Sequence, residues 1–279
     1  MSYKTLLTVL TAPDTGKTQL EQVIALAASQ NGHADALCLG VDRTQTGYYY
    51  AGANAMILQE TLARAQEDVN QIEQQVTKRL ALSGISFAVE TGVVQMADIS
   101  RHIAQLARFS DLVVLEQPYG KNSPAEAEVI VESALFEGRA PVLILPKDGQ
   151  LKQPPRTVMV AWNESVEAMV AIRKALPMLM TADLVRVVMI DPPRHGPERS
   201  DPGGRLCQML SRHGIKCEID ILSKTMTRVS DVLNRHIVDT NADLLVMGAY
   251  GHSRFREAIL GGATRNMLEN ANIPVLMAH

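Results

Sequence analysis

Aromatic residues are scarce in this 279-residue chain, where six tyrosines, four phenylalanines and one tryptophan make up only 4%. They leave few platforms for stacking bases. The charge balance is equally unpromising for a phosphate backbone, since 27 Lys and Arg face 30 Asp and Glu for a net charge of −3. Nucleic-acid binding is therefore not expected. Cysteine is also sparse: Cys38, Cys207 and Cys217 are odd in number, lack C-x-x-C spacing and lie in or beside apolar stretches. That pattern fits reduced core thiols better than a disulfide framework or a zinc site. No apolar run approaches the roughly 18 to 20 residues that cross a bilayer, and the opening MSYKTLLTVLTAPD lacks the architecture of a cleavable signal. The chain reads as cytoplasmic, with no membrane partner. What is present, 46% hydrophobic and 20% charged residues, suffices for one large or two modest globular domains.

The same series of segments occurs twice in the same order. Lys4-Thr5-Leu6-Leu7-Thr8-Val9 recurs as Arg156-Thr157-Val158-Met159-Val160-Ala161, and Ala36 to Asp42 recurs as Val185 to Asp191. Gly84-Ile85 returns as Gly214-Ile215, Asp111-Leu112-Val113-Val114 as Asp243-Leu244-Leu245-Val246, and Pro141-Val142-Leu143 as Pro274-Val275-Leu276. Five matched apolar strands indicate a duplication, with domains at 1–146 and 156–279 joined by a polar linker, 147–155, that ends in two prolines. The first copy carries extra length as a long helix whose apolar positions Leu58, Leu62, Ala65, Val69, Ile72, Val76 and Leu80 mark one core-facing stripe. The second copy has instead the proline-rich loop Asp191 to Pro197. Near-continuous apolar strands alternating with amphipathic helices such as Val166 to Met180 predict an α/β fold, a parallel sheet covered by helices on both faces. Ligands of such sheets bind beyond the carboxyl ends of strands, where strand order reverses.

After the fourth strand of the second copy, Gly248, Gly251 and Gly261 form a G-x2-G-x9-G motif, followed by Gly262-Ala263-Thr264 at a helix start. Glycines there let backbone N–H groups approach phosphate oxygens, and a helix start adds donors and a positive dipole end. The same glycines also suit turns and caps. The first strand of that copy ends Ala161-Trp162-Asn163-Glu164-Ser165, in which Asn163 and Ser165 suit turn-forming and capping, and Asn163 would face Gly248 across the crevice if the first and fourth strands are neighbours.

Together these residues resemble the universal stress protein family in its tandem two-domain form. The resemblance implies two tandem open five-stranded parallel sheets of order 3-2-1-4-5, similar to the adenine nucleotide alpha hydrolases, and a stress-response regulator that binds ATP together with Mg2+. By that resemblance Ala161, Asn163 and Ser165 lie at the strand end that contacts adenosine, Met189 and Ile190 supply backbone to adenine, and Gly248, Gly251, Gly261, Gly262, Ala263 and Thr264 form the ribose and phosphate loop. Two positions depart from the pattern: Asn163 stands where an acidic residue is frequent, and Gly262 where Ser or Thr is frequent. Arg254, Arg256 and Arg265 offer compensating charge.

The first copy departs throughout. Alignment places Glu116 at Gly248, Tyr119 at Gly251, and Glu128 and Val129 at Gly261 and Gly262. Carboxylates there would repel a triphosphate, so one nucleotide per chain is expected. Thr11-Ala12-Pro13-Asp14-Thr15-Gly16-Lys17-Thr18 imitates a P-loop but has Thr11 for its first glycine, and Pro13 deletes an N–H. Of seven scattered histidines only His195 and His252 fall near the motif, and no nucleophile–base pair, metal cluster or nucleophile elbow is evident, so no catalytic residue is assigned. A nucleotide-free interaction module and a slow ATPase are the alternatives. The edge strands Pro141 to Leu145 and Pro274 to Met277 are open to pairing with each other within one chain or with a second chain.

Overall fold

A computed structural model of the chain describes residues 2–43, 54–120, 123–147, 149–192, 201–249 and 262–279, with the side chains of 54–58 left aside. The chain divides into two compact units, one of Tyr3–Glu116 with Lys121–Ala140, the other chiefly of Pro141–His279 with Gln117–Gly120.

The N-terminal unit runs β1 (Thr5–Leu10), α1 (Lys17–Gln30), β2 (His33–Asp42), α2 (Asn54–Ala81), β3 (Ser86–Gln95), α3 (Ile99–Ala107), β4 (Leu112–Glu116) and α4 (Ala127–Glu132). Its sheet has the order β3-β2-β1-β4, all parallel. β1 and β4 are apolar runs that are buried almost throughout, as strands covered on both faces must be. α2 lays Ala65, Val69, Ile72, Val76 and Leu80 into the core, as the stripe predicts. Leu62 is the exception at 40% exposure. The side chain of Leu58 lies outside the described residues. α2 comes so close to β2 that a Cβ on Gly40 would stand 2.0 Å from the carbonyl oxygen of Ala65, which explains the glycine in an otherwise apolar strand.

The C-terminal unit comprises β5 (Val142–Leu145), β6 (Thr157–Ala161), α5 (Val166–Leu179), β7 (Leu184–Ile190), α6 (Gly204–Arg212), β8 (Cys217–Leu222), α7 (Val229–Thr240), β9 (Leu244–Gly248), α8 (Ala263–Asn270) and β10 (Val275–Ala278). Its strands β8-β7-β6-β9-β10 follow the expected 3-2-1-4-5 order, all parallel. The sheet is one strand wider than expected, because β5 joins it antiparallel to β10, with Ile144, Leu143 and Val142 opposite Val275, Leu276 and Met277. This pairing satisfies the backbone groups that an edge strand would otherwise expose. Among the described residues no helix is long and apolar enough to cross a membrane, and all three cysteines are free thiols.

Both repeats use one device to set the register of their central strands. The Asp111 carboxylate accepts from the backbone N–H groups of Lys4 (2.7 Å) and Thr5 (3.1 Å), while the Asp111 N–H donates to the Thr5 carbonyl. Asp243 does the same for Arg156 (2.9 Å) and Thr157 (3.2 Å), and also pairs with Lys152 at 2.6 Å. Burial alone would raise the Asp243 pKa, but the hydrogen bonds from Lys152, Thr157 and Arg156 outweigh it and hold the group below the usual carboxylate range. Asp243→Ala leaves two N–H groups unpaired and is expected to cost the C-terminal unit about 2 kcal/mol in urea unfolding at pH 7. Because the folded-state pKa is the depressed one, the charge-dependent part of this contribution is complete above about pH 4 and is lost as pH falls through the folded-state value. The difference between wild type and variant should therefore narrow in acid without vanishing, since a protonated carboxyl still accepts a hydrogen bond.

Candidate functional site

In the C-terminal unit, β6 and β9 are hydrogen-bonded neighbours, with Val158, Met159 and Val160 opposite Leu244, Leu245 and Val246. The sheet continues from β6 towards β7 and from β9 towards β10, so strand order reverses between them and their carboxyl ends open a crevice. Ala161 ends β6, and the last bond across to β7 runs from the Trp162 N–H to the Val188 carbonyl at 2.9 Å. Along β7 the even-numbered residues turn their N–H and C=O towards β6, as Leu184 and Val188 do, while Val185 and Asp191 turn theirs towards β8. Ile190 is the first even residue beyond the end of β6, so its backbone faces the crevice. The side chain of Met189 is buried in the sheet.

The turn after β6 is shaped by local polar bonds. Asn163 Oδ1 accepts from the Ser165 N–H at 3.2 Å, Glu164 takes φ 61°, and Ser165 Oγ accepts from the Ala168 N–H at 3.1 Å to cap α5. Asn163 is exposed. Gly248, across the crevice, is required by packing: a Cβ there would stand 2.6 Å from the Ala168 nitrogen and 2.8 Å from the Glu167 carbonyl carbon. The amino end of α5 thus rests directly on the end of β9. Gly248→Ala must push α5 away and is expected to lower the stability of this unit by about 2 kcal/mol. Denaturant titration would show it, and an unchanged midpoint would contradict the contact.

Gly262, Ala263 and Thr264 stand at the start of α8, where Gly262 is the N-cap without a side-chain cap and the first turn holds no acidic residue. Thr264 is buried. Arg265 is engaged by Glu269 at 3.0 Å, and its guanidinium lies 5.1 Å from the ring centroid of Tyr119, a residue that the sequence placed at the position of Gly251. Gln117 tethers the same segment, donating to the Leu145 carbonyl through its backbone and to Ala271 through its side chain. Gly251 and Gly261 lie outside the described residues, as do Arg254, Arg256, His195 and His252.

The matching place in the N-terminal unit is filled by the protein itself. Thr11, which aligns with Asn163, follows β1; Arg43 follows β2; Glu126 precedes α4. Arg43 grips the fully buried Glu126 carboxylate through two bonds of 2.6 and 3.2 Å. Burial would raise the Glu126 pKa, yet hydrogen bonds from Arg43, from its own backbone N–H and from Thr11, with the Arg43 charge, hold it below the usual range. Nearby, buried Gln19 of α1 bridges the strand ends, donating to Thr8 Oγ1 and the Val9 carbonyl and accepting from the Glu116 N–H. The sequence points to Glu116 and Glu128 as the obstructing carboxylates. The group sealed inside is instead Glu126, which no spacing rule connects to Arg43. The P-loop look-alike is also resolved: Thr11 is tied to Glu126, and α1 starts at Lys17 behind a left-handed Gly16.

Glu126→Gln keeps the shape but removes the charge, and should cost the N-terminal unit about 2 kcal/mol, less than for a fully enclosed pair because Arg43 is 45% exposed. Hydrogen exchange across β1 and β4 would measure it. The difference from wild type is present above the ordinary carboxylate range and is lost as pH falls through the depressed value of Glu126.

A second ionic group missed by the sequence sits on β7, β8 and α7. Arg186 pairs with Glu218 and Asp220 at 3.1 Å each, and His236 Nε2 lies 2.8 Å from Asp220 Oδ2. Among the described residues no set of three His, Cys, Asp or Glu side chains is arranged to hold a metal.

Among known families, residues 155–279 match the universal stress protein family. A universal stress protein of Synechocystis sp., Slr1230, is 28% identical over 137 residues, which span 49% of this chain and 46% of that protein's own length, so about half of the curated relative is matched. Among solved structures, a universal stress protein from Archaeoglobus fulgidus superposes with a TM-score of 0.74 at 14% identity, covering 98% of this chain and 95% of that one. A protein of unknown function from Pseudomonas aeruginosa PAO1 gives 0.61 at 13% identity, covering 99% and 92%. At such identities the two structures establish a shared fold along the whole chain.

Proposed function

We propose that the chain is a member of the universal stress protein family, the family that its residues 155–279 match, and that its C-terminal repeat holds ATP while its N-terminal repeat does not. The observation that carries this reading is the contrast between the two switch points. Among the described residues one is bordered by Ala161, the Ile190 backbone and the start of α8 at Gly262, with no buried carboxylate there; the other is filled by a buried carboxylate and its arginine. An adenosine would lie against Ala161, Asn163 and the Met189–Ile190 backbone, and the phosphates against Gly248, Gly251 and Gly261 to Thr264. N–H groups at a helix start suit anions. Any Mg2+ would be held chiefly by the phosphates, as is usual for this ion.

In this reading the protein is a cytoplasmic regulator of the stress response. Its output is conformational: ATP favours whichever arrangement of the crevice it binds more tightly, and a partner protein reads that arrangement. The fixing of Arg265 by Glu269 and Tyr119 favours the second reading, a nucleotide-free interaction module, because it draws one compensating charge into an internal contact.

Calorimetric titration of nucleotide-stripped protein with Mg-ATP tests the proposal. One site per chain is expected, lost in Gly251→Glu. Two sites would sink the assigned asymmetry, and no binding would favour the interaction module. Release of phosphate that vanishes in Gly251→Glu would establish a slow ATPase instead.

A further inference from the structure

The N-terminal unit contains a cavity of about 390 Å³ that the nucleotide reading leaves unused. It opens beside the segment that imitates a P-loop, between the start of α1 and the second half of α2. Leu10, Leu20, Ile72 and Val76 form its apolar walls, each taken from the cluster that packs α1 and α2 over the sheet. Its volume falls at the lower end of the roughly 300–1,000 Å³ typical of small-molecule sites. Gly16 is part of its wall and keeps it open: at φ 77° a Cβ would stand 2.7 Å from Leu10 Cδ2.

Charge at the rim is one-sided. Glu21 is consumed by a two-pronged pair with Arg79. Lys17, the first residue of α1, also lines the cavity, is exposed, and has no ion-pair partner among the described residues. The first turn of α1 contains no acidic side chain to compete for that charge.

We propose that this cavity binds a small carboxylic acid with an apolar body, the hydrocarbon against Leu10, Leu20, Ile72 and Val76 and the carboxylate at Lys17. The assignment does not depend on nucleotide binding in the other unit. Burial of the hydrocarbon supplies most of the affinity, and an exposed lysine adds a few-fold preference for the anion.

Octanoate, octan-1-ol and octylamine differ mainly in their head groups and separate the two contributions in calorimetric titrations of the full chain. Octanoate is expected to occupy one site per chain, octanol to bind three- to fivefold more weakly, and octylamine more weakly still. Lys17→Ala should bring octanoate down to the level of octanol. Val76→Trp fills the cavity and should weaken octanoate at least tenfold. Ala12→Leu narrows the cavity from a half-exposed position and gives the same direction of change should the tryptophan disturb folding, which thermal melting would reveal. The proposal is overturned if no probe saturates, if octylamine matches octanoate, or if octanoate affinity survives Ala12→Leu in a folded protein.

Discussion

Everything at the two crevices depends on the register between the first and fourth strands of each repeat. These strands run side by side, yet the sheet proceeds from them in opposite directions, so a crevice forms only if their carboxyl ends finish nearly level. The register is fixed at the far end. Asp111 and Asp243, each just before a fourth strand, collect two backbone N–H groups from the start of the first strand. A carboxylate that accepts two such bonds gains more than a neutral acceptor would, and a slip by one residue would forfeit both bonds and reverse the faces of the strand.

The repeats share that frame and diverge in what fills its open end. In the first, Gln19 satisfies the strand ends and the Glu126–Arg43 pair fills the space beyond them. A buried carboxylate is costly unless its lone pairs are met, and here Arg43, Thr11 and a backbone N–H meet them. The same arrangement makes a second anion unwelcome. In the second repeat no such group is present among the described residues: α5 approaches Gly248 backbone to backbone, and the Ile190 backbone faces the crevice. Among the described residues the first crevice is filled by an ion pair, whereas the second has no such pair.

Much of this frame was legible in the sequence, because strands buried on both faces are nearly continuous apolar runs and a duplicated fold shows each run twice. The order β8-β7-β6-β9-β10 followed from that pattern together with the family resemblance. The antiparallel union of β5 with β10 was one of two pairings left open, since an edge strand declares its need for a partner and not the partner's identity. Gly248 was visible as a glycine, but its packing reason requires knowing that α5 lies above it. Glu126 and Arg43 are 83 residues apart, and the Arg186, Asp220 and His236 group draws on two strands and a helix. Pairings of this kind are set by tertiary approach, which leaves no periodic trace. Leu62 shows the converse: periodicity reports which side of a helix is apolar and leaves open how much of that side is covered.

The asymmetry also determines how a ligand could act. A molecule bound to the folded C-terminal crevice stabilises that unit in proportion to its saturation, while the filled N-terminal crevice has nothing to gain from it. A conformational output further requires different affinities for two arrangements. The start of α8 is where such a difference can arise. Arg265 already has Glu269 and the Tyr119 ring as partners, so an anion at Gly262 to Thr264 must either bind beside that cluster or draw the guanidinium from it. In the second case the ligand's gain is offset by breaking the ion pair and the ring interaction. The segment carrying Tyr119 and Gln117 then gives up its ring contact with α8 and keeps the bond from Gln117 to Ala271 just beyond the helix. If the proposed nucleotide binds there, Arg265, held by an aromatic ring and a carboxylate, is thus both a brake on affinity and a means by which occupancy can be transmitted.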